Sequence, residues 1–197
     1  SDGHSKDNTV KIAKKLADKI VFEKINTIAG GRQRGAEVAE GKILAYSDAD
    51  AVPNKDWLEK LLKPFEDENV IATYGSITLY DASKGAELLA RQVMKRVLSI
   101  GARFKVHNAI ASNLAIRKTA FDKIHGYNTS LATAEDLDIV RRLKPLGKIV
   151  FVKDCLMPVS ARRIKKWGVP YFLLFHALNG LKYQFTGKAG EEYEIIR

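Results

Sequence analysis

Short apolar runs and stretches of helical periodicity follow one another along most of the chain. The apolar runs predict buried strands at 20–22, 43–47, 70–74, 77–80, 110–116 and 149–152. Apolar residues at helical spacing predict helices at 7–20, 34–40, 53–65, 83–100 and 135–143. Because strands that alternate with helices favour a sheet covered on both faces, the pattern predicts an α/β fold. We expect a three-layer α/β/α sandwich with a mainly parallel sheet.

An acidic pair follows the strand predicted at 43–47, in the sequence Ser47-Asp48-Ala49-Asp50. Side chains alternate along an extended chain, so the carboxylates of Asp48 and Asp50 should point to the same side. Ligands of such sheets bind beyond the carboxyl ends of the strands, which is where this pair is expected. Two carboxylates can hold one divalent cation, and that cation can hold a diphosphate. The alternative is a polar turn after a strand, where Asp is common.

Composition and charge limit the class of protein and its partners. A chain of 197 residues with 46% hydrophobic and 28% charged residues is typical of one globular domain, with or without an appendage. The 33 Lys and Arg residues exceed the 23 Asp and Glu residues by ten, which predicts an anionic partner. No aromatic–basic motif of a nucleic-acid-binding module is present, so nucleic acid is not expected. The single Cys155 excludes an internal disulfide and suits a reducing compartment.

The last part of the chain, 161–197, differs from the preceding 160 residues in being basic and aromatic. Four cations at 162–166 precede Trp167 and an apolar block at 169–175, and further lysines follow. The block is too short to span a bilayer, but a segment of this kind can lie on one. We expect peripheral membrane contact through residues 162–185, with packing on a partner subunit as the alternative. The expected location is cytoplasmic, at the inner face of the cell membrane.

Five motifs occur in order between residues 2 and 138. They read DGHSKDNT at 2–9, GRQRG at 31–35, DAD at 48–50, SNLAIR at 112–117 with FDKIHGY at 121–127, and EDLD at 135–138. Each alone is weak, but their order and spacing resemble those of the family 2 glycosyltransferases of the GT-A fold. The resemblance implies a GT-A core at 1–160 and a divalent metal cofactor, Mn²⁺ or Mg²⁺.

The resemblance also implies roles on the nucleotide side of the site. Asp2 would contact the base, and Arg32 would border the nucleotide pocket. Asp50 would ligate the metal directly, with Asp48 nearer the ribose or a metal-bound water, and Asn113 would lie near the sugar. The plainer alternatives are a turn role for Asp2, a solvated helix-end cation for Arg32 and support of the local backbone by Asn113.

The E-D motif at 135–136 implies roles on the acceptor side of the site. Asp136 matches the catalytic base of inverting members of the family, and Glu135 would hold the acceptor or sugar. The alternative is electrostatic, because acids in the first turn of a helix stabilise its dipole by roughly 0.3–1 kcal/mol.

The stretch 163–167, RIKKW, resembles the [QR]-x-x-[RK]-W element of processive and lipid-modifying relatives. The resemblance implies that Trp167 borders the acceptor and that Arg163 and Lys166 lie near the leaving diphosphate or the membrane. The alternative is a basic helix end with a half-buried Trp.

Two departures from the family pattern are visible. The strand–helix–strand portion with which the family begins has no counterpart here, so the core at 1–160 is expected to lack its first βαβ portion. His125 also replaces the first Gly of the usual Gly-Gly pair.

The sequence therefore predicts an inverting, metal-dependent, hexosyltransferase-like enzyme. It would move a sugar from a nucleoside-diphosphate sugar, expected to be UDP-linked, to a hydroxyl of a lipid or glycan acceptor. The alternatives are a non-catalytic or incomplete nucleotide-binding transferase domain and a basic nucleic-acid-binding module.

Overall fold

A mixed four-stranded sheet forms the centre of the computed structural model, which describes residues 1–25 and 27–189. The strands are β1 (Ile43–Tyr46), β2 (Val70–Leu79), β3 (Leu114–Arg117) and β4 (Lys148–Val159), in the order β1-β3-β2-β4. The helices are α1 (Thr9–Ala13), α2 (Ile28–Val38), α3 (Trp57–Leu62), α4 (Lys84–Arg103), α5 (Lys118–Lys123), α6 (Glu135–Leu143), α7 (Arg162–Trp167) and α8 (Val169–Thr186). The end of the predicted C-terminal segment, 190–197, lies outside the described residues.

Strand direction differs from the sequence prediction. β2 and β4 pair in parallel, whereas β3 runs antiparallel to both β1 and β2. Three of the four described strands therefore share one direction. Two of the three pairings between neighbouring strands are nevertheless antiparallel, so the prediction of a mainly parallel sheet is wrong for the pairings. The reason is that alternating apolar runs do not encode direction. The segment between α4 and β3 brings the chain to Leu114, which lies opposite Tyr46 at the end of β1 and Tyr74 within β2, so β3 runs back along both strands.

Both faces of the sheet are covered, as the sequence predicts. Alternation along β3 places Leu114 and Ile116 in a core cluster with α2, α4, α5 and α6. Ala115 points the other way and packs in a second cluster with Leu61 and Phe65, in and just after α3. The burial of apolar side chains on both sides of the sheet stabilises the three-layer arrangement.

Several element boundaries also differ. The helix predicted at 7–20 is shorter, and the strand predicted at 20–22 makes only an isolated bridge between Asp2 and Phe22. The helix predicted at 34–40 begins earlier, at Ile28, because the Thr27 hydroxyl accepts a hydrogen bond from Gly30 N at 2.9 Å and caps it. The strands predicted at 70–74 and 77–80 are one strand with a register shift at Gly75.

The C-terminal helix α8 packs on α6, the helix that carries the E-D motif. Tyr183 is buried, and its hydroxyl donates a hydrogen bond to Asp138 Oδ1 at 2.6 Å. Leu131, Leu137 and Ala189 pack in the same small cluster. Within the described part of the chain, no helix combines the length and apolar character needed to cross a membrane.

Candidate active site

The acidic pair lies in a turn at the rim of the sheet. Ala51 N donates to the carbonyl of Asp48 at 3.1 Å, and Ser160 N donates to the carbonyl of Asp50 at 3.2 Å. Ala51 also bridges to Val159, the last residue of β4. The turn is therefore fixed where β1 and β4 end, which is the rim that the sequence predicts.

Arg32 joins this turn to the E-D motif. From α2, its guanidinium donates to Asp48 Oδ1 at 2.8 Å and to Glu135 Oε1 at 2.5 Å. Burial acts to lower the pKa of Arg32, but the carboxylates of Asp48 and Glu135 outweigh it and hold that pKa above its usual value. The arginine therefore stays charged. Its two terminal nitrogens hold two acids that are distant in sequence, Nη1 holding Glu135 and Nη2 holding Asp48.

Asp136 lies in the first turn of α6, directly after Glu135. Burial first, and then the adjacent charge of Glu135, raise the pKa of Asp136, and the opposing charge of Arg32 leaves it at about 7. Its Oδ1 accepts a hydrogen bond from Leu137 N at 2.9 Å. A carboxylate that titrates near neutral pH is well matched to accepting a proton from a hydroxyl group.

The backbone before this helix is unusual. Ala134, at the start of α6, has φ +59°, a left-handed conformation that costs a non-glycine residue roughly 1–2 kcal/mol. Strain of this kind persists where the surrounding structure requires a particular chain path. The next residue, Glu135, is the one that contacts Arg32.

Two buried hydroxyl groups near the start of α6 lack a hydrogen-bond partner within the described chain, Tyr127 Oη and Thr133 Oγ1. The ring of Tyr127 packs edge-on against Tyr46 at 5.5 Å between centroids. Buried polar groups are normally satisfied, so such hydroxyls mark places that water or a ligand can fill.

A second arginine contacts the acidic pair. Arg162, the first residue of α7, lies 2.9 Å from Asp50 Oδ2. The Asp48 and Asp50 side chains are 42% and 25% exposed, so neither carboxylate is enclosed in the core. Each carboxylate has one oxygen against an arginine and faces the rim.

The donor set fits a hard divalent cation. Among the described residues, no group of three or more His, Cys, Asp and Glu side chains is arranged to hold a metal ion by itself. An ion on the two carboxylates would complete its shell with phosphate oxygens and waters, as Mg²⁺ does in many nucleotide sites. The residues present therefore fit Mn²⁺ or Mg²⁺ bound together with a diphosphate.

Comparison with known sequences identifies the family. The family model described as Glycosyl transferase family 2 matches residues 1–125. The chain belongs to glycosyl transferase family 2. One relative of this family 2 chain is the glucosyl-dolichyl phosphate glucuronosyltransferase of Haloferax volcanii, which is 24% identical over 125 residues. That match covers 60% of this chain and 40% of the relative, so the chain spans less than half of the relative's length.

Solved structures support the same fold. A mannosyltransferase, PcManGT, from Pyrobaculum calidifontis, solved with GDP-Man and Mn²⁺, superposes with a TM-score of 0.64 at 16% identity, covering 95% of this chain and 55% of that one. Glucosyl-3-phosphoglycerate synthase from Mycobacterium tuberculosis, solved with Mn²⁺ and UDP-Glc, superposes with a TM-score of 0.60 at 13% identity. The match covers 99% of this chain and 70% of that one. The predicted GT-A fold is therefore confirmed.

In this family 2 domain, Asn113 is enclosed in a buried hydrogen-bond network. It is fully buried, its Nδ2 donates to the carbonyls of Ser76 and Cys155 at 2.8 and 3.2 Å, and its Oδ1 accepts from Trp57 Nε1 at 2.9 Å. Gly75 makes room for it, since a Cβ there would lie 2.2 Å from Asn113 Nδ2. The geometry favours the alternative, support of the local backbone, and a position of Asn113 near the sugar stays a prediction.

Asp2 is engaged locally. Its Oδ1 and Oδ2 accept from Ser5 N and Ser5 Oγ at 2.8 and 2.7 Å, and the hydroxyl bond lowers the pKa of Asp2. This is the turn role given above as its alternative, and base contact stays a prediction.

His125 stands where the family pattern has the first glycine of its Gly-Gly pair. The backbone of His125 is left-handed with φ +58°, and Gly126 follows with φ +71°.

The basic element at 163–167 forms most of α7. The Arg163 guanidinium lies 5.0 Å from the Trp167 ring centroid, and that ring packs against Phe175 at 5.0 Å. Lys166 lies in the same helix, whose first residue, Arg162, contacts the acidic turn. The acceptor-side roles of Arg163, Lys166 and Trp167 stay predictions.

Two residues of the site were missed by the sequence analysis, Arg162 and Asp81. Asp81 accepts from Ala161 N at 2.5 Å and from Ser160 Oγ at 3.1 Å, and it pairs with Lys165 at 3.0 Å. It fixes the start of α7 against the end of β2. The available signal was the one used for Asp48, an acid directly after a predicted strand.

Proposed function

We propose that this chain is the donor-binding and catalytic part of an inverting glycosyltransferase that uses a nucleoside-diphosphate sugar. The observation that carries the proposal is the Arg32 bridge. It brings the acidic turn at Asp48 and Asp50 and the E-D motif at Glu135 and Asp136 to one rim of a GT-A sheet. A diphosphate subsite and a proton acceptor are the two parts that such a reaction needs.

On the donor side, Asp48 and Asp50 would hold the divalent cation, Mn²⁺ or Mg²⁺. When bound, the cation neutralises charge on the diphosphate as it leaves. The related structures were solved with Mn²⁺ and with UDP-Glc or GDP-Man, which supports the donor class. We propose a UDP-linked donor, and the test below compares donors that differ in their nucleobase.

On the acceptor side, Asp136 would act as general base. It takes the proton of the acceptor hydroxyl while that oxygen forms a bond to the anomeric carbon, and the bond from that carbon to the diphosphate oxygen breaks. Glu135, held by Arg32, would orient the acceptor or sugar. General-base assistance of this kind contributes typically 10²–10⁴-fold.

The acceptor that we favour is lipid-linked, with the reaction at the inner face of the membrane. The name of the Haloferax relative includes a dolichyl phosphate, a lipid. Anchored through Tyr183, α8 leaves a row of apolar side chains exposed: Tyr171, Leu174, Leu178, Leu181 and Phe185. These positions repeat every three or four residues on one helix face, as expected for peripheral contact through residues 162–185.

The test is a thermal-shift screen of nucleoside diphosphates and their sugars with Mn²⁺ and Mg²⁺, followed by transfer assays with the stabilising donor. We expect a metal-dependent rise in melting temperature with one UDP-linked sugar, absent in Asp50→Ala, and transfer to a lipid-phosphate acceptor. Stabilisation without turnover by the full-length protein would instead indicate a non-catalytic nucleotide-binding domain. No stabilisation by any nucleotide would overturn the proposal.

A further inference from the structure

Helix α4 exposes a second apolar row, which no described part of the chain covers. Its members lie at positions i, i+4, i+8, i+11 and i+15 and are each more than half exposed: Leu89, Val93, Val97, Ile100 and Phe104. Phe104 directly follows the last residue of α4, and its N still donates to the carbonyl of Ile100 at 3.2 Å. At 3.6 residues per turn they fall within an arc of about 80° and extend about 22 Å along the helix. The opposite side of α4 is the packed one, where Leu98 and Met94 join the core.

The charges around this row have one sign. Residues 84–105 contain six Lys and Arg residues and a single acid, Glu87. Arg96 and Arg103 are exposed and lie along one edge of the row. Lys95, by contrast, faces away from the apolar row and pairs with Asp154 on β4 at 3.0 Å. The exposed surface of α4 is therefore an apolar stripe with a cationic edge.

This charge pattern selects among possible occupants. A second copy of the chain, packed symmetrically on α4, would bring two cationic edges together without acids to neutralise them. An anionic bilayer surface accepts both parts, because acyl chains cover the apolar side chains while lipid phosphates pair with the arginines. We propose that α4 is a second membrane-contacting helix and that its occupant is an anionic lipid surface.

The stripe is connected to the candidate site. Asp81, three residues before α4, holds the start of α7 through Ala161 and Lys165, and α7 carries the Arg162 that contacts Asp50. Contact through α4 would therefore bring the rim of the sheet toward the lipid surface independently of α8. This inference deepens the proposed function, since it rests on an acceptor located at the membrane.

Site-specific fluorescence tests the proposal in the full chain. Cys155, the single cysteine, is buried, and burial raises its pKa to about 11, so it should label slowly. An environment-sensitive dye is attached to Val97→Cys on the stripe and, as a matched control, to Glu59→Cys on the exposed side of α3, across the sheet. Each protein is mixed with vesicles of phosphatidylcholine, with or without phosphatidylglycerol.

We expect a blue shift and brightening at position 97 only with phosphatidylglycerol, and no change at position 59. An unchanged dye at 97 while the protein still sediments with the vesicles would overturn the role of α4 and leave contact through α8 standing. A blue shift of the dye at position 97 that grows with protein concentration in the absence of vesicles would show that a second copy of the chain covers the apolar row of α4. That result would also overturn the proposal. The nucleotide thermal shift, measured on the same labelled proteins, reports separately on the proposed donor site.

Discussion

Arg162 lies 2.9 Å from Asp50 Oδ2, so a cation of helix α7 contacts the carboxylate expected to ligate the metal. The pair is partly exposed, with the two side chains 46% and 25% accessible. Asp50 can therefore be reached by an ion from solvent, but the ion must compete with the arginine for that oxygen. This contact couples the metal site to the position of α7.

Removal of Arg162 should tighten metal binding. A partly exposed ion pair contributes about 0–1 kcal/mol, so Arg162→Gln should bind Mn²⁺ up to about fivefold more tightly. Calorimetric titration of Mn²⁺ measures the effect. Lys165→Gln is the matched control, because Lys165 lies on the same helix but pairs with Asp81. An unchanged affinity in Arg162→Gln would show that the arginine does not compete with the ion.

Loss of Arg32 should destabilise the fold as well as the site. Arg32→Met leaves Glu135 buried without its partner, which costs about 2–4 kcal/mol, below the upper range for buried pairs because Asp48 is partly exposed. Urea unfolding measures the loss. Arg34→Met, on the same helix, breaks an exposed pair with Glu37 and should cost less than about 1 kcal/mol. Equal losses in the two variants would contradict a special role for Arg32.

Asp136 should control the pH dependence of transfer. A base must be ionised, so the rate should rise with pH through about 7, because burial and the charge of Glu135 raise the pKa of this carboxyl to that value. Asp136→Asn should retain donor binding, lower turnover by about 10²–10⁴-fold and lose the rise near pH 7. Steady-state rates across pH, with donor affinity measured in parallel, decide the matter. Wild-type turnover in the variant would exclude Asp136 as the base.

The same group should make stability depend on pH. The pKa of Asp136 is 3.8 in its ordinary state and about 7 when folded, so folding takes up a proton between those values. The free energy of unfolding therefore falls as pH rises from about 4 to about 7. At pH 8, Asp136→Asn should be more stable than wild type by up to about 4 kcal/mol, a gain that disappears near pH 4. Asp138→Asn is the control and should destabilise, since it weakens the contacts to Arg142 and Tyr183.

Local patterns predicted the parts of the site that depend on local structure. The position of Asp48 and Asp50 follows from a strand that ends at 46 and from alternation along it. Glu135 and Asp136 lie in the first turn of a helix that begins where the sequence predicts. Helical and strand periodicities are properties of neighbouring residues, so sequence alone sufficed here.

Long-range contacts were beyond the same reasoning. Arg32 meets Glu135 across 103 positions in the chain, and periodicity carries no information about such a pair. The direction of β3 depends on the path of the segment before it. The burial of Asn113 depends on a glycine in β2, Gly75. In each case the decisive neighbour is fixed by packing.

Asn113 offers the sharpest test of a structural role against a sugar-binding one. Asn113→Ala removes hydrogen bonds to Trp57, Ser76 and Cys155 and leaves buried groups unsatisfied, so it should cost about 2–4 kcal/mol in urea unfolding. Trp57→Phe is the matched control, since it removes only the indole donor of this network and should cost less. Where Asn113→Ala remains folded, its donor affinity should equal that of wild type, because the amide is fully buried. Near-native stability combined with lost donor affinity would return Asn113 to the sugar site.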